Sequence, residues 1–550
     1  MKPTFLMPAL LAIVLSSHAG NETPIPMTPT PGVAQTNVAA ATAPSQVAPV
    51  KAKAAPKQVK PAQTPAFMPV ETSLDMSPAG PQSLSLDDCI GMALEKNLDI
   101  RIERYNPQLR VFDVSVARAV YDPVFAASAE HNYEKSGSRL LSGGFSIPGS
   151  KSEDDSFTSS LGGALPWGMS YNFQGRTTDT YGNQSTNLFE NTSGSVSVTL
   201  TQPLLRDSWI DGNRLTIKVA KNRVKWSEQG LRAQLISTVS SVEQTYFELI
   251  FAQENVKVYQ QALQLAEQLF KENKKRVEVG VLAPLDEKQA EAQVATSRAN
   301  LIAAESYLAT QQNTLKQLIT DDYASWGRAK LQSAESLASV KQLFDVRDSW
   351  SRGLNDRPDL LQSRIDLEKA GIDLKYYRNQ LLPRLDLSGT YGHSGSQTEF
   401  SGALEDIRRG NEPFYGYGVQ FSIPLGNAAA RKRYQSGKLT VEQAVLSVKK
   451  LEQQVMFDID EAINQAESSY ESVLATREAR NFAEAALDAE QKKLENGKST
   501  SFNVLSLQTD LTDARSKEIR ALANYNKALT ALASAEGSTL DRRRIDVLMK

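Results

Sequence analysis

From about Asp211 to Val279 the chain contains no proline, and its apolar side chains recur at Leu235, Val239, Val242, Tyr246, Leu249, Val256, Tyr259, Leu263, Ala266 and Phe270. The steps between them are 4, 3, 4, 3, 7, 3, 4, 3 and 4. They average near 3.5, the period of a coiled-coil seam, not the 3.6 of a helix lying on a globular core. A helix over that stretch is roughly 100 Å long. No compact domain covers such a rod, so it must pack along helices of its own chain, of other chains, or both. The pattern returns at Val441, Val445, Val448, Val455, Ile459, Ala462, Ala466 and Val473. A shorter partner is stepped by Val294, Leu301, Leu308 and Leu315.

The two long seams belong to two copies of one plan. Ala93-Leu94 matches Gly353-Leu354, Asp99-Ile100 matches Asp359-Leu360 and Pro123 matches Pro383, all at an offset of 260. Pro203 then matches Pro424 at 221, and Gly280 matches Gly497 at 217. The drop from 260 to 221 gives copy one 39 extra residues between its two prolines. Each copy reads helix, Pro, β segment, loop, β segment, Pro, very long helix, Gly turn, helix. Gly280 and Gly497 stand where a left-handed residue closes a helix. Pro284 suits the first turn of the next helix, and Thr500 or Ser501 its cap. Both connections therefore read as tight helix hairpins.

The β segments alternate strictly. Leu385, Leu387, Gly389 and Tyr391 face Tyr415, Tyr417, Val419, Phe421 and Ile423 in copy two. Copy one offers Phe125, Ala127, Ala129 and Tyr133, and later Val196, Val198 and Leu200. Such a sheet has one apolar and one polar face. A soluble sandwich gives the same pattern, yet little chain remains to build a second sheet. The apolar face must meet lipid or another chain. Only a closed barrel exposes strands to lipid, and four strands cannot close one alone. Trp167, Met169, Tyr171 and Phe173 alternate as well. Crossings must be even in number, so residues 157–175 are either an added hairpin about Leu165-Pro166-Trp167-Gly168 or an outer loop. The added hairpin, lying partly above the membrane, is the preferred expectation.

Residues 1–19 read as a secretory signal: Lys2, an apolar run from Phe5 to Leu15 broken only by Pro8, and a small-x-small site at Ser17-His18-Ala19. Residues 20–82 hold 12 of the 24 prolines and a lysine cluster (Lys51, Lys53, Lys57, Lys60), which reads as a disordered Pro/Ala-rich linker. The mature chain has no run of about 18 apolar residues, so no membrane-spanning helix is expected. With 61 Lys+Arg against 63 Asp+Glu the net charge is −2, which argues against a nucleic-acid partner. One cysteine, Cys89, excludes an internal disulfide and reads as a small buried hydrophobe. His18, His131 and His393 are the only histidines, and no carboxylate pair of ligand spacing accompanies them. No metal site, cofactor or catalytic residue is expected. Acidic residues on the helices read as solvated faces and i,i+4 pairs.

Over residues 83–538 the chain resembles the TolC family of outer-membrane efflux proteins. The resemblance rests on Ser85-Leu86-Asp87-Asp88 leading to Ala93-Leu94-Glu95-Lys96-Asn97, on Tyr121-Asp122-Pro123, on Gln202-Pro203-Leu204-Leu205-Arg206, on Arg357-Pro358-Asp359-Leu360, and on the hairpins Arg276–Asp286 and Lys493–Asn503. It implies an α+β membrane protein that forms a homotrimer. Four strands per chain, with or without the added hairpin, would share one β-barrel in outer-membrane lipid. A long periplasmic α-helical coiled-coil barrel would continue it. The first repeat would span 83–320 and the second 351–538. An equatorial collar would come from 321–350 and the C-terminal stretch, with a tail at 539–550. The implied function is the passive exit duct of a tripartite efflux or type I secretion system. Its partners would be a periplasmic adaptor and an inner-membrane transporter.

The resemblance also assigns the tips. Gly280, Val281, Leu282, Gly497, Lys498 and Ser499 would meet the adaptor. Asp286 matches an acidic position of the first hairpin, where a helix-start charge favoured by the dipole is the competing reading. Two carboxylates of some members are replaced here by Asn503 and Ser506, so a six-carboxylate ring is lost, and Asp510 would restore part of its charge. A soluble exported scaffold and a periplasmic adaptor are the rival classes. Tyrosine-rich amphipathic strands serve no scaffold, and adaptors lack a duplicated strand-pair plan.

Overall fold

The computed structural model of the chain describes residues 81–545, apart from positions 141, 145, 185 and 186. The stretch read as a signal peptide (1–19), the stretch read as a linker up to residue 80, and residues 546–550 lie outside the described residues. The first repeat runs β1 (Pro81–Leu84), α1 (Leu86–Lys96), α2 (Leu98–Glu103), α3 (Tyr105–Arg118), β2 (Val124–Lys135), a short ribbon β3 (Arg139–Leu140) and β4 (Ser146–Ile147), β5 (Lys151–Ala164), β6 (Ser170–Gln184), β7 (Asn187–Pro203), α4 (Gly212–Glu278) and α5 (Pro284–Ile319). After α6 (Tyr323–Trp326) and β8 (Lys330–Ser333) come α7 (Val346–Asp356), α8 (Pro358–Asn379), β9 (Arg384–Gln397), α9 (Phe400–Arg409), β10 (Glu412–Ser422), α10 (Ala428–Glu495), α11 (Ser501–Glu536) and α12 (Thr539–Arg542).

The duplication is visible in the elements. α4 and α10 have 67 and 68 residues, and α5 and α11 have 36 each. β2 and β9 each begin one residue after the matching prolines, Pro123 and Pro383. Local chemistry sets the helix starts. Ser85 and Asp88 form a reciprocal capping box on α1, Asn97 accepts from the amides of Asp99 and Ile100, and Asp211 accepts from Arg214 N at 2.6 Å.

The seams pack as read over the middle of α4, where Val239, Val242, Tyr246 and Leu249 are fully buried. Toward the hairpin the buried row passes through Ala266 and Leu269, while Tyr259, Leu263 and Phe270 are only half-buried. On α5 Leu315 of the expected row is fully buried, but Val294, Leu301 and Leu308 are half-buried, and Ala290, Ser297 and Ala304 beside them are buried. The heptad therefore alternates large and small side chains, and small ones let α4 and α5 approach closely. The small half of that seam carries no hydrophobic signal in the sequence.

Six strands form one antiparallel sheet in the order β10-β9-β7-β6-β5-β2. Four of them are the strands read from the alternation. The other two, β5 and β6, are the added hairpin, longer than the 157–175 expected and inserted inside the sheet. Its turn returns to the helix end, where Arg214 donates to Asp207 O at 2.9 Å beside Gly168, whose φ of 93° favours glycine. The helix α9, unforeseen in the sequence, packs Ile407 and Ala403 onto Gly194 and Gly395 at the opposite end.

The largest core lies midway along α4. Cys89, Ile90, Tyr246, Leu249, Leu315, Ile319, Leu331 and Leu540 pack there. β1 and β8 pair in parallel across it, so the described chain begins two residues inside the stretch read as linker. The 321–350 segment is tied to the helices by main-chain acceptors. Tyr525 donates to Val340 O at 2.6 Å, Gln312 to Leu331 O at 2.9 Å and Asn526 to Ala338 O at 3.1 Å.

Candidate functional site

Three regions carry chemistry: the sheet wall, the hairpin tips and the middle of the helices. In the wall, register lines up whole rows across all six strands. Phe125, Leu161, Phe173, Val198, Tyr391 and Tyr415 form one row. Three residues along each strand from that row, Ser128, Thr158, Arg176, Ser195, Ser394 and Glu412 form a row on the other face. The apolar face is open: Tyr415 and Tyr417 are 78% and 87% exposed. An exposed apolar surface of this extent marks an interaction with lipid or protein. Both outer strands, β2 and β10, have one unpaired edge among the described residues. Exposed unpaired edges of that length invite pairing with another chain.

At the tips the two hairpins share one geometry. Gly280 (φ 77°) donates to Val277 O at 2.9 Å and Val281 to Arg276 O at 2.8 Å. Gly497 (φ 69°) donates to Leu494 O at 3.0 Å and Lys498 to Lys493 O at 2.8 Å. This double bond pattern satisfies the last carbonyls of α4 and α10 and requires the left-handed residue. Both turns project into open space, with Val281 70% exposed.

These two hairpins fall within the segments matched by the model of the family described as outer membrane efflux protein, residues 89–320 and 350–538. The chain belongs to the outer membrane efflux protein family. Among its relatives are outer membrane efflux protein BepC of Brucella suis, 26% identical over 63% of this chain and 72% of that protein. TolC of Vibrio cholerae is 22% identical over 64% of this chain and 78% of its own length. The cation efflux system protein CusC of Escherichia coli is 24% identical over 56% and 60%. Among solved structures, the Campylobacter jejuni CmeC outer membrane channel superposes with a TM-score of 0.61 at 18% identity, covering 82% of this chain and 86% of that one. The Neisseria gonorrhoeae MtrE channel in its open state gives 0.59 at 18%, covering 83% and 89%. These likenesses establish the fold.

Within this efflux-protein fold the residues singled out at the tips fall into two sets. Asn503, Ser506 and Asp510 are all exposed and share one face of α11. Asp286 is half-buried and occupied at its own helix start, where Oδ2 accepts from Ala283 N at 3.2 Å. The sequence reading missed Glu490. Its Oε1 accepts from Ser499 Oγ at 2.5 Å and from Asn503 Nδ2 at 3.5 Å, and its Oε2 from Lys493 Nζ at 2.8 Å. The Lys493 ammonium and the Ser499 hydroxyl hold its carboxyl below the usual carboxylate range. The second tip therefore keeps a carboxylate, supplied by α10. The hairpins are fastened to each other by Ser501 Oγ donating to Asn273 Oδ1 at 3.0 Å and Gln293 to Thr509 at 3.2 Å.

The middle of the helices corrects the reading of acidic residues as solvated. Glu243, Glu248 and Glu536 are buried. Glu248 on α4 accepts from Tyr307 OH of α5 at 2.5 Å, from Lys527 Nζ of α11 at 2.7 Å, and from Arg520. The Arg520 guanidinium also lies over the Phe251 ring at 3.5 Å. Burial alone would raise the Glu248 pKa, but these donors outweigh it and hold the carboxyl below its ordinary value. Glu243 accepts from Thr530 Oγ1 at 2.7 Å and Arg543 Nε at 2.6 Å, so the C-terminal residues are clamped to α4 as well. Helical spacing cannot show this, because the partners come from positions 59 to 300 residues away. Cys89 is fully buried, and burial pushes its thiol up to about 12. His131 and His393 both lie on the apolar face of the sheet, and each has a single partner: Asp155 at 2.7 Å and Tyr391 OH at 3.2 Å.

Proposed function

We propose that this chain is the outer-membrane duct of a tripartite efflux system, working as a homotrimer. The observation that carries the reading is the two-faced sheet: its apolar face is open, its edges are unpaired among the described residues, and it stands on two helices, α4 and α10, each about 100 Å long. From the Leu385–Phe421 pair to the row of Phe157 and Gly395, ten residues along β9 give about 34 Å of strand and about 26 Å of depth at a tilt of about 40°. That matches the apolar band of an outer-membrane barrel. Three sheets joined edge to edge bury every strand edge, turn the polar face to a water-filled lumen and the aromatic rows to lipid. The half-buried Tyr259, Leu263 and Phe270 of α4 then seat against a neighbouring copy.

In this arrangement the helices extend into the periplasm. The tips at Gly280, Val281 and Leu282 and at Gly497, Lys498 and Ser499 meet a periplasmic adaptor joined to an inner-membrane transporter. Asn503, Ser506 and Asp510 line the aperture, and Asp286 holds a helix start beside it. The duct is passive and catalyses nothing; energy comes from the transporter. The 321–350 segment and the C-terminal residues form the collar around the helices. Residues 1–19 serve as the export signal.

The test joins location, assembly and phenotype. The protein should fractionate with outer membrane, give a mass of three chains in detergent after subtraction of bound detergent, and be required for resistance to some dyes, antibiotics or metals. Release from washed cells by salt alone, or a stable monomer in water without detergent, would overturn the reading.

A further inference from the structure

The 39 residues that copy one has in excess are the source of the third pair of strands, since Pro123 to Pro203 spans 80 positions and Pro383 to Pro424 spans 41. The added hairpin is not appended to an edge. β5 pairs with β2 from Val124↔Gly162 to Lys135↔Lys151, and β6 pairs with β7 from Ser170↔Thr201 to Gln184↔Asn187. Both of its sides are therefore hydrogen-bonded along their length. Its two faces are also in phase with its neighbours. Leu161 and Phe173 continue the aromatic row, and Thr158 and Arg176 continue the polar one. A plug or an outer loop has no reason to carry a two-faced pattern in register on both sides.

We infer that the hairpin is wall, and that it widens the membrane end of the duct so that this end does not sieve the cargo. The inference rests on the trimeric reading given above. Strands about 4.8 Å apart and tilted by about 40° each occupy about 6.3 Å of perimeter. Six per chain make an eighteen-stranded barrel with a backbone diameter of about 36 Å, against about 24 Å for four per chain. Four helices of each chain, α3, α4, α8 and α10, neighbour one another at the sheet end. Twelve helices at about 10 Å spacing make a ring about 38 Å across. With six strands the β and α parts match in girth. With four, the barrel is the narrower part and a step lies at the junction. The cargo class this favours is bulky solutes, limited at the helix tips and not at the membrane.

The experiment places one cysteine in the lumen at Ser197→Cys and labels it in intact cells with maleimide-polyethylene glycols of graded size. The full-length chain is compared with a variant in which residues 137–185 are replaced by a short turn joining β2 to β7. The largest polymer that labels should fall in diameter by about 1.5-fold in the shortened variant, the ratio of eighteen to twelve strands. An unchanged cut-off overturns the inference. If the shortened variant does not assemble, neighbouring residues of β6 decide. Gln174→Cys should react with a charged, membrane-impermeant thiol reagent, and Phe173→Cys should react only with a lipid-soluble one. Equal access of the charged reagent to both overturns the placement of the hairpin in the wall. The assembly mass separates the two readings. A number of chains other than three refutes the trimer, whereas the Gln174 and Phe173 pair reports on the hairpin whatever that number is.

Discussion

Replacing Glu248 by alanine removes the one carboxylate that joins α4, α5 and α11 at mid-height. Three donors lose their acceptor: Tyr307 OH, Lys527 Nζ and the Arg520 guanidinium. Breaking a buried ion pair by deleting one partner costs about 3–5 kcal/mol. Here the Arg520 and Lys527 side chains are 38% and 30% exposed and regain some water, so the lower end, about 3 kcal/mol per chain, is expected. With an unfolding entropy near 2.1 cal/mol/K per residue over roughly 465 ordered residues, that is a fall in melting temperature of about 3 °C. Glu248→Gln keeps an acceptor but not the charge and should lose about half as much. The double variant Glu248→Ala with Arg520→Ala should be less destabilised than the two single effects added, by at least about 1 kcal/mol. The carboxyl is held below its ordinary value of 4.5, so its contribution is complete above that pH and is lost as pH falls through the depressed value. The gap between the native chain and Glu248→Gln should therefore be constant at neutral pH and close in acid. Calorimetry of the detergent-solubilised protein reads all of these. Equal melting temperatures for native chain and Glu248→Ala, or strict additivity with Arg520→Ala, would refute the clamp.

Further outcomes follow from the same geometry. Gly280→Ala and Gly497→Ala meet no neighbour within 4 Å, so their whole cost is the left-handed backbone, about 1–2 kcal/mol each; hydrogen exchange should speed up at the hairpin amides and nowhere else. Val198→Arg places a charge on the apolar row and should cost about 2–4 kcal/mol, depleting the protein from outer membrane, whereas Ser197→Arg on the polar face should assemble normally. Cys89, fully buried with its thiol pushed up to about 12, should resist maleimide at pH 8 in the folded protein and react at once in denaturant.

The sequence carried the plan because its signals are periodic. A 3.5-residue step, a two-residue alternation and a doubled order of prolines and glycines each survive in one chain without any knowledge of contacts. The seam of α5 shows the limit. Leu301 and Leu308 announce themselves, but Ala290, Ser297 and Ala304, which are buried more deeply, look like surface. The added hairpin was half legible: Tyr171 and Phe173 alternate plainly, while Ser-, Thr- and Asp-rich β5 does not, and only pairing on both sides fixes its place. Glu248 and Glu490 were invisible as sites, since what distinguishes them is the side chains brought to them from α5, α11 and the tip turn. The helix α9 gave no warning because ten residues between two strands carry too few turns to show a period.

α4 is one uninterrupted rod, and Glu248 grips it near the middle. Thirty residues separate that grip from Glu278, about 45 Å of helix. Were the rod to swing about that grip, each degree would displace the far end by about 0.8 Å, and five degrees by about 4 Å. A movement too small to disturb packing at the grip would therefore amount to several ångströms at the hairpin.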